Sequence, residues 1–122
     1  MMIPRLYDDA DGHSHFGEVE IKQTGTAQRI NALSQDVSYW QVSVSQPGYV
    51  SDWRPTGETK MLAICSGQLT VTVSNGETRH FSRGDMLFCQ DLKGQGHRAK
   101  VVGIEPCTML HIGMPGNIKN PA

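Results

Sequence analysis

Glycine and proline interrupt this chain at short intervals, and this leaves little room for helices. Its 122 residues include 13 Gly and 6 Pro. No window between these breaks places apolar residues at helical spacing over several turns. The runs that remain are short, and their side chains are apolar or alternate between apolar and polar, as in β-strands. The sequence therefore predicts an all-β protein.

Eight short runs have the character of strands, and together they predict a sandwich or a barrel. They are residues 18–22, 37–44, 61–65, 69–73, 78–81, 86–90, 98–102 and 107–112. The chain is long enough for one core and too short for two. We therefore predict a single domain over residues 1–122, with an irregular N-terminal arm (1–17), a barrel (about 18–112) and an irregular tail (113–122).

The strongest local pattern is a hairpin in the middle of the chain. Residues 69–73 alternate apolar and threonine side chains, and Asn75-Gly76 follows with the composition of a two-residue type I′ turn. Residues 82–85 predict a second tight turn, in which Gly84 takes a left-handed conformation.

Charge and cysteine content exclude several classes of partner. With 11 Lys and Arg against 12 Asp and Glu, the net charge of -1 gives no reason to bind nucleic acid or an anionic membrane. No run approaches the roughly 20 apolar residues of a membrane span, and the N-terminus lacks the apolar stretch of a signal peptide. The three cysteines share no CxxC spacing, so we expect free thiols and a cytoplasmic protein.

A series of short motifs resembles the small single-domain cupins, the germin-like and RmlC-like double-stranded β-helix superfamily. The first cupin motif is similar to Pro47-Gly48, residues 52–55 (DWRP) and residues 60–67 (KMLAICSG). The second is similar to Arg83-Gly84-Asp85 and the segment that ends at His97. Residues 11–16 and 91–97 also resemble one subgroup of monocupins. The resemblance implies a jelly-roll-like barrel and a homodimer, in which N-terminal strands are often exchanged.

The resemblance fails at the metal ligands. Metal-binding cupins present two histidines and a glutamate from the first motif, and these positions fall on Arg54, Thr56 and Lys60 here. Arginine has no lone pair to give, protonated lysine has none either, and a threonine hydroxyl is a poor ligand for a divalent transition metal. His97, from the second motif, is retained. We therefore predict no metal cofactor; a metal would need other ligands, such as His97 and His111 with a histidine of the N-terminal arm.

The matched positions instead predict an acid–base site for an anion. The predicted catalytic residues are His97, Lys60 and Asp91: the imidazole moves a proton, Asp91 orients it, and the lysine brings charge or base chemistry. The alternatives are a structural histidine, an aspartate that caps its own turn, and cations that face solvent or pair with surface carboxylates.

Five further residues are predicted to bind the substrate: Arg54, Thr56, His111, Tyr39 and His15. His111 is predicted to face the pocket because the last cupin strand lines the barrel. His15 is predicted to fold over the barrel mouth, or else to lie in an exposed loop with His13. Only one of the adjacent Tyr39 and Trp40 can face inward, and Trp53 is expected to pack.

Taken together, the sequence predicts a cupin with a small-molecule pocket, acting as a metal-independent isomerase, lyase or cyclase on an anionic or carbonyl metabolite. Two alternatives stay open. One is a cupin that binds a small ligand without turning it over. The other is a metal-dependent oxygenase with unorthodox histidine ligands.

Overall fold

Strands make up the regular structure of this chain in a computed structural model that describes residues 1–26, 28–31 and 35–115. The described part contains twelve strands. They are β1 (Met2–Asp8), β2 (Ser14–Glu20), β3 (Thr24–Gly25), β4 (Ile30–Asn31), β5 (Tyr39–Ser45), β6 (Val50–Arg54), β7 (Lys60–Ser66), β8 (Gln68–Thr72), β9 (Thr78–Ser82), β10 (Met86–Gln90), β11 (His97–Val102) and β12 (Cys107–Gly113). The described part contains no helix long and apolar enough to cross a membrane.

Two sheets face each other across the barrel. The larger has six strands in the order β2-β1-β10-β7-β12-β5, and the smaller has four in the order β6-β11-β8-β9. Pairing is antiparallel throughout these two sheets except between β1 and β10. The predicted all-β double-stranded β-helix is therefore confirmed.

The core lies between the sheets and follows the period-2 alternation of the strands. In β8, Leu69 and Val71 are buried, whereas Thr70 and Thr72 face away from the core. The main buried cluster is Leu6, Phe16, Leu62, Ile64, Leu69, Val71, Val73, Phe81, Leu87, Cys89, Val101, Cys107 and Met109. All three cysteines are free, as expected.

The hairpin of β8 and β9 is present, but the predicted type I′ turn is wrong. That turn needs a positive φ at both central residues. Here Gly76 has φ 90°, and no described residue other than glycine has a positive φ, so Asn75 does not. Gly76 N–H donates to Val73 O (2.9 Å) and Val73 N–H donates to Glu77 O (3.0 Å). The loop therefore has three residues, and its last position is the left-handed glycine.

The second tight turn is confirmed. Asp85 N–H donates to Ser82 O at 2.9 Å, and Gly84 has φ 91°. The Asp85 carboxylate also accepts the Ser82 N–H at 2.8 Å.

The predicted irregular N-terminal arm is wrong, because residues 1–17 contain β1 and the start of β2. The two strands pair over their whole length, and β1 adds to β10 in parallel. Alternation places Leu6 in the main core and Ile3 on the outer face of the sheet. Sequence reasoning missed this because only two of the seven residues of β1 are buried.

The other predicted strand boundaries differ from the observed ones by smaller amounts. The strand expected at 18–22 ends at Glu20, and the one expected at 37–44 runs from Tyr39 to Ser45. β6 was not predicted, since its sequence VSDWR lacks apolar alternation. Of the predicted tail, Gly113 ends β12. Residues 116–122 lie outside the described part.

Candidate functional site

A cavity of about 510 Å³ opens between the two sheets. β11 and β6 of the small sheet contribute one side, and β5, β7 and β12 of the large sheet contribute the other. Its walls are formed by Gln41, Ser43, Ser45, Tyr49, Ser51, Arg54, Pro55, Thr56, Lys60, Leu62, Leu69, Cys89, His97, Ala99, Val101, Met109 and His111. The cavity therefore brings together Arg54, Thr56, Lys60, His97 and His111.

Asp91 lies directly behind His97. The Nδ1 atom of His97 is 2.6 Å from Oδ2 of Asp91, whose side chain is fully buried. An ionised carboxylate only accepts hydrogen bonds, so Nδ1 carries the proton in this contact. In the neutral form of the ring this contact selects the tautomer with the proton on Nδ1, whose Nε2 has a lone pair.

Two hydroxyl groups complete the surroundings of this carboxylate. Ser14 Oγ donates to Oδ2 at 3.0 Å, and Thr56 Oγ1 donates to Oδ1 at 2.7 Å. Burial opposes ionisation of Asp91, but the hydrogen bond and charge of His97, with the bonds from Thr56 and Ser14, outweigh it and lower the pKa of Asp91. The carboxylate is thus a fixed negative charge beneath the imidazole.

The N-terminal hairpin places Ser14 against this group. Gln95 N–H donates to Gly12 O at 3.1 Å, and Lys93 N–H donates to the Asp8 carboxylate at 2.7 Å. A side chain at Gly94 would overlap the backbone of Gly12. The loop before His97 therefore rests directly on the turn between β1 and β2.

A second close backbone contact fixes the position of Arg54. A Cβ atom at Gly96 would collide with the carbonyl group of Arg54, and Gly96 has φ +79°. The next residue, His97, pairs with Arg54 across β11 and β6. Glycine is required here because the two backbones touch.

Arg54 and Lys60 are the two cations of the cavity wall. Among the residues that the structure describes, neither forms an ion pair with a carboxylate. The nearby carboxylate of Asp52 lies 3.7 Å from Arg98. Two unpaired cations at one cavity favour an anionic group in it.

His111 lies on the opposite sheet from His97 and also lines the cavity. Its Nε2 atom is 2.8 Å from Ser43 Oγ. Burial lowers the pKa of His111, and the positive charge of Lys60 lowers it further. His111 is therefore neutral at pH 7.

Cys89 is not an activated nucleophile. Burial raises the pKa of its thiol to about 12, and the charge of Asp91 adds to this effect, against smaller opposing effects of Lys60 and Thr56. A thiol in this setting stays protonated and contributes to the wall as an apolar group.

The structure does not bring Tyr39 or His15 to the cavity wall. His15 alternates with the buried Ser14 and Phe16, so it points to the other face of β2. There its Nε2 lies 2.6 Å from Asp9 Oδ2, and this bond lowers the pKa of Asp9 to about 2. Tyr39 begins β5 and lies against Gly113.

Neither large indole behaves as a pocket or core group. Trp40 is exposed on the outer face of β5, and Trp53, which was expected to pack, is also exposed. β6 is an edge strand of the small sheet, and its last three residues, Asp52, Trp53 and Arg54, are all exposed.

The donor set of the cavity does not fit a metal ion. His97 and His111 each keep one free ring nitrogen, but they lie on opposite sheets, no described carboxylate lines the cavity, and the cations Arg54 and Lys60 share its wall. Within the described ranges, the cluster of three His, Cys, Asp or Glu side chains close enough to share an ion is Asp9, Asp11 and His13. It lies outside the cavity wall.

Sequence reasoning missed Ser14, Ser43, Ser45 and Ser51. Ser14 gave no signal, because it was placed in the arm. The alternation of Ser43 and Ser45 with Val42 and Val44 was readable in the sequence, but it does not say which set faces inward.

Residues 33–101 match the EutQ-like cupin domain family. This is more than half of the chain. No curated protein matches the sequence.

Several solved structures share the fold at low sequence identity. One is a Klebsiella pneumoniae protein with a double-stranded β-helix domain (TM-score 0.53, 22% identity, 70% of this chain and 79% of that one). A second is a Bordetella pertussis cupin domain (TM-score 0.53, 15% identity, 82% of this chain and 100% of that one). A third is the Legionella pneumophila dTDP-6-deoxy-D-glucose-3,5-epimerase RmlC, solved with dTDP-4-keto-L-rhamnose (TM-score 0.51, 11% identity, 96% of this chain and 73% of that one). At these identities the likeness concerns the fold.

Proposed function

The chain belongs to the EutQ-like cupin domain family, and on that premise we propose that its cavity is a metal-independent acid–base site. The ligand is a small metabolite that carries an anionic group or a carbonyl. The reaction is an isomerisation, an elimination or a cyclisation, each of which begins with removal of a proton from carbon.

One observation carries this proposal. The buried Asp91 and the partly buried His97 form a pair beside Arg54 and Lys60, two cations without a carboxylate partner among the described residues. A histidine oriented by a carboxylate is an effective general base, and fixed cations stabilise negative charge that develops on a nearby oxygen.

The proton transfer follows from the tautomer of His97. With the proton on Nδ1 held by Asp91, the Nε2 lone pair takes a proton from the carbon next to the carbonyl or carboxyl group of the ligand. The electron pair moves onto oxygen, where Arg54 and Lys60 offset its charge. Return of the proton to a neighbouring carbon gives an isomer, and loss of a leaving group from that carbon gives an alkene. Attack of the carbanion on a carbonyl carbon of the same ligand closes a ring, and the proton held by His97 then passes to the oxygen of that carbonyl.

The test starts from a thermal-shift screen of small carboxylates and carbonyl compounds. Each compound that binds is then incubated with the protein in D₂O, and deuterium incorporation is followed by NMR. We expect His97→Gln to slow exchange about 100-fold or more. The matched control His80→Gln changes an exposed histidine on β9 and should leave exchange intact. Equal exchange in wild type and His97→Gln would contradict the proposal.

The metal content of the untagged protein is measured in parallel, before and after dialysis against a chelator. We expect exchange to persist in chelator-treated protein. Loss of exchange that returns only with one transition metal, bound at one ion per chain, would reject the metal-independent site and favour the oxygenase alternative.

The second candidate is a binding module that does not turn over its ligand. The unpaired cations favour it, because they attract an anion whether or not a proton moves. It predicts binding without deuterium exchange, loss of binding in Arg54→Gln and Lys60→Met, and full binding in His97→Gln.

A further inference from the structure

β5 has its apolar face outside and its polar face inside, the reverse of a strand that covers a core. Its apolar residues Trp40, Val42 and Val44 are exposed by 70%, 54% and 60%. Its polar residues Gln41, Ser43 and Ser45 line the cavity instead. Antiparallel strands normally turn the apolar face inward, so this inner face is built for polar contacts.

The polar surface continues onto the next strand. β5 is an edge strand of the large sheet and β6 an edge strand of the small one, and the short connection between them closes one side of the barrel. Tyr49 in that connection and Ser51 in β6 also line the cavity. Two backbone hydrogen bonds attach this connection to β11: Gly48 N–H donates to Val101 O, and Val101 N–H donates to Tyr49 O, both at 2.9 Å.

Apolar side chains lie elsewhere in the cavity. Leu62, Leu69, Val101 and Met109 contribute aliphatic side chains, and each belongs to an inner strand of its sheet. The cavity therefore has a hydroxyl-rich wall on β5 and β6, and apolar side chains on the inner strands, where Lys60, His97 and His111 also lie.

Strand register places the cations at one end of the hydroxyl-rich wall. Lys60 pairs with Gly113 and Gly113 with Tyr39, so Lys60 is level with the start of β5. Lys60 also pairs with Cys89 on β10. Two residues after Cys89, the backbone carbonyl of Asp91 accepts a hydrogen bond from Thr56 N–H, and Thr56 follows Arg54 closely in the chain. Lys60 therefore lies at the same end of the cavity as Arg54 and its pairing partner His97. From this end Gln41, Ser43 and Ser45 follow over roughly 13 Å of strand.

Most polar groups of this wall have hydrogen-bonding capacity to spare. Ser43 contacts His111. Within the described part, no side-chain hydrogen bond is formed by Gln41, Ser45 or Ser51. A ligand without hydroxyl groups would displace water from these side chains and leave them unpaired, at a cost in affinity.

We infer that the ligand is a carboxylate that carries hydroxyl groups along its chain, with the carboxylate at Arg54 and Lys60 and the hydroxyls along β5. This inference rests on the proposed function, whose anionic metabolite it makes specific. Ser45 and Ser51 are then specificity residues, and they act on the hydroxyls rather than on the reacting carbon.

The test uses three pairs of acids, each with the same number of carbons and of carboxylates: gluconate and hexanoate, tartrate and succinate, glycerate and propionate. Affinities are measured by calorimetry with the full chain. We expect the hydroxylated member of at least one pair to bind about tenfold or more tightly than its partner. Ser45→Ala and Ser51→Ala should lower that ratio about threefold to tenfold each, without weakening the deoxy acid. The control Ser74→Ala removes an exposed hydroxyl from the β8–β9 loop and should leave the ratio unchanged.

The outcomes separate the two levels of the argument. Equal binding within every pair, or preference for the deoxy acids, overturns the hydroxylated ligand and leaves the anion site standing. Binding that Arg54→Gln and Lys60→Met do not weaken overturns the anion site. If none of the six acids binds, both are overturned.

Discussion

At the scale of single residues, the buried carboxylate of Asp91 organises the site. It accepts hydrogen bonds from His97, Ser14 and Thr56, which belong to three separate parts of the chain. A buried charge is tolerated only when it is paired and hydrogen-bonded. Asp91 therefore couples the stability of this end of the barrel to the orientation of the imidazole.

Asp91→Asn should destabilise the protein by about 2 kcal/mol at pH 7, because a charged acceptor with three donors is lost. The pKa of Asp91 is lower in the folded protein than its ordinary value of 3.8. Its contribution is therefore complete above pH 3.8 and is lost as the pH falls through the folded pKa. Urea titrations at pH 7 and pH 3 should show the difference between wild type and variant shrinking. The exposed control Asp52→Asn should differ little from wild type at pH 7, and an Asp91→Asn variant as stable as that control would contradict the prediction.

The effect of the Lys60 charge should be measurable as a shift in the pKa of His111. Burial first and the Lys60 charge second hold the pKa of His111 below 6.5. Lys60→Met should therefore raise this pKa toward 6.5, as measured from the pH dependence of the His111 ring protons by NMR. Lys100→Met, on the outward-facing side of β11, is the matched control and should leave it unchanged. Because the folded pKa is depressed, protonation of His111 should also lower stability as the pH falls below 6.5.

At the scale of elements, the N-terminal hairpin and the glycine-containing loop before β11 support each other. The hairpin carries Ser14 to Asp91, and the loop carries His97 to Arg54. Gly94 and Gly96 allow both backbone contacts, since a Cβ at either position would overlap a neighbouring chain segment. The site is therefore assembled by contacts between elements that are distant in sequence.

Gly96→Ala should be far more costly than a glycine substitution elsewhere. The added Cβ would collide with the Arg54 carbonyl, and the alanine would also have to keep the positive φ of Gly96. We therefore expect the free energy of unfolding to fall by about 3 kcal/mol or more. Gly76→Ala provides the control, because Gly76 also has a positive φ (+90°) but faces open space, and it should lose about 1 kcal/mol. Urea unfolding of both variants measures the difference. Equal losses would mean that the close approach of Gly96 to Arg54 contributes nothing to stability.

At the scale of the whole molecule, the six-stranded sheet has apolar side chains on both faces. The outer face at β1, β7 and β10 is covered by a second buried cluster of Ile3, Ile21, Phe88 and Met114. No described residue covers the outer face of β5, where Trp40, Val42 and Val44 are exposed. Exposed apolar patches of this kind mark interaction surfaces.

The homodimer expected from the cupin resemblance stays a prediction, and this face of β5 is where we place it. This face packed against its own copy is self-complementary, as a two-fold dimer requires. Light scattering at micromolar concentration should give the mass of a dimer for wild type and of a monomer for Val42→Glu. Lys100→Glu adds the same acidic side chain on the outward side of β11 and should remain dimeric. A monomeric wild type, or a dimeric Val42→Glu, would exclude this interface.

The sequence alone determined the fold class and much of the site. Breaks at glycine and proline, together with alternation in strands such as β8, are local properties, and they set an all-β fold with the correct central hairpin. The cupin resemblance supplied the barrel and grouped Arg54, Thr56, Lys60 and His97, all of which line one cavity. The contact between Asp91 and His97 was within reach of sequence reasoning too, because only six positions separate them.

Only the tertiary structure decided the rest, since it depends on pairing between distant segments. The N-terminal strands, MIPRLYD and SHFGEVE, lack a regular apolar alternation of their own, and they become strands because β10 and each other supply their hydrogen bonds. Ser14 reaches Asp91 across 77 positions, and Ser43 reaches His111 across 68. Alternation in β5 fixes two faces without saying which is inner, and the register with β12 places the serine face toward the cavity. Local chemistry therefore sets the strands, and long-range pairing sets the site.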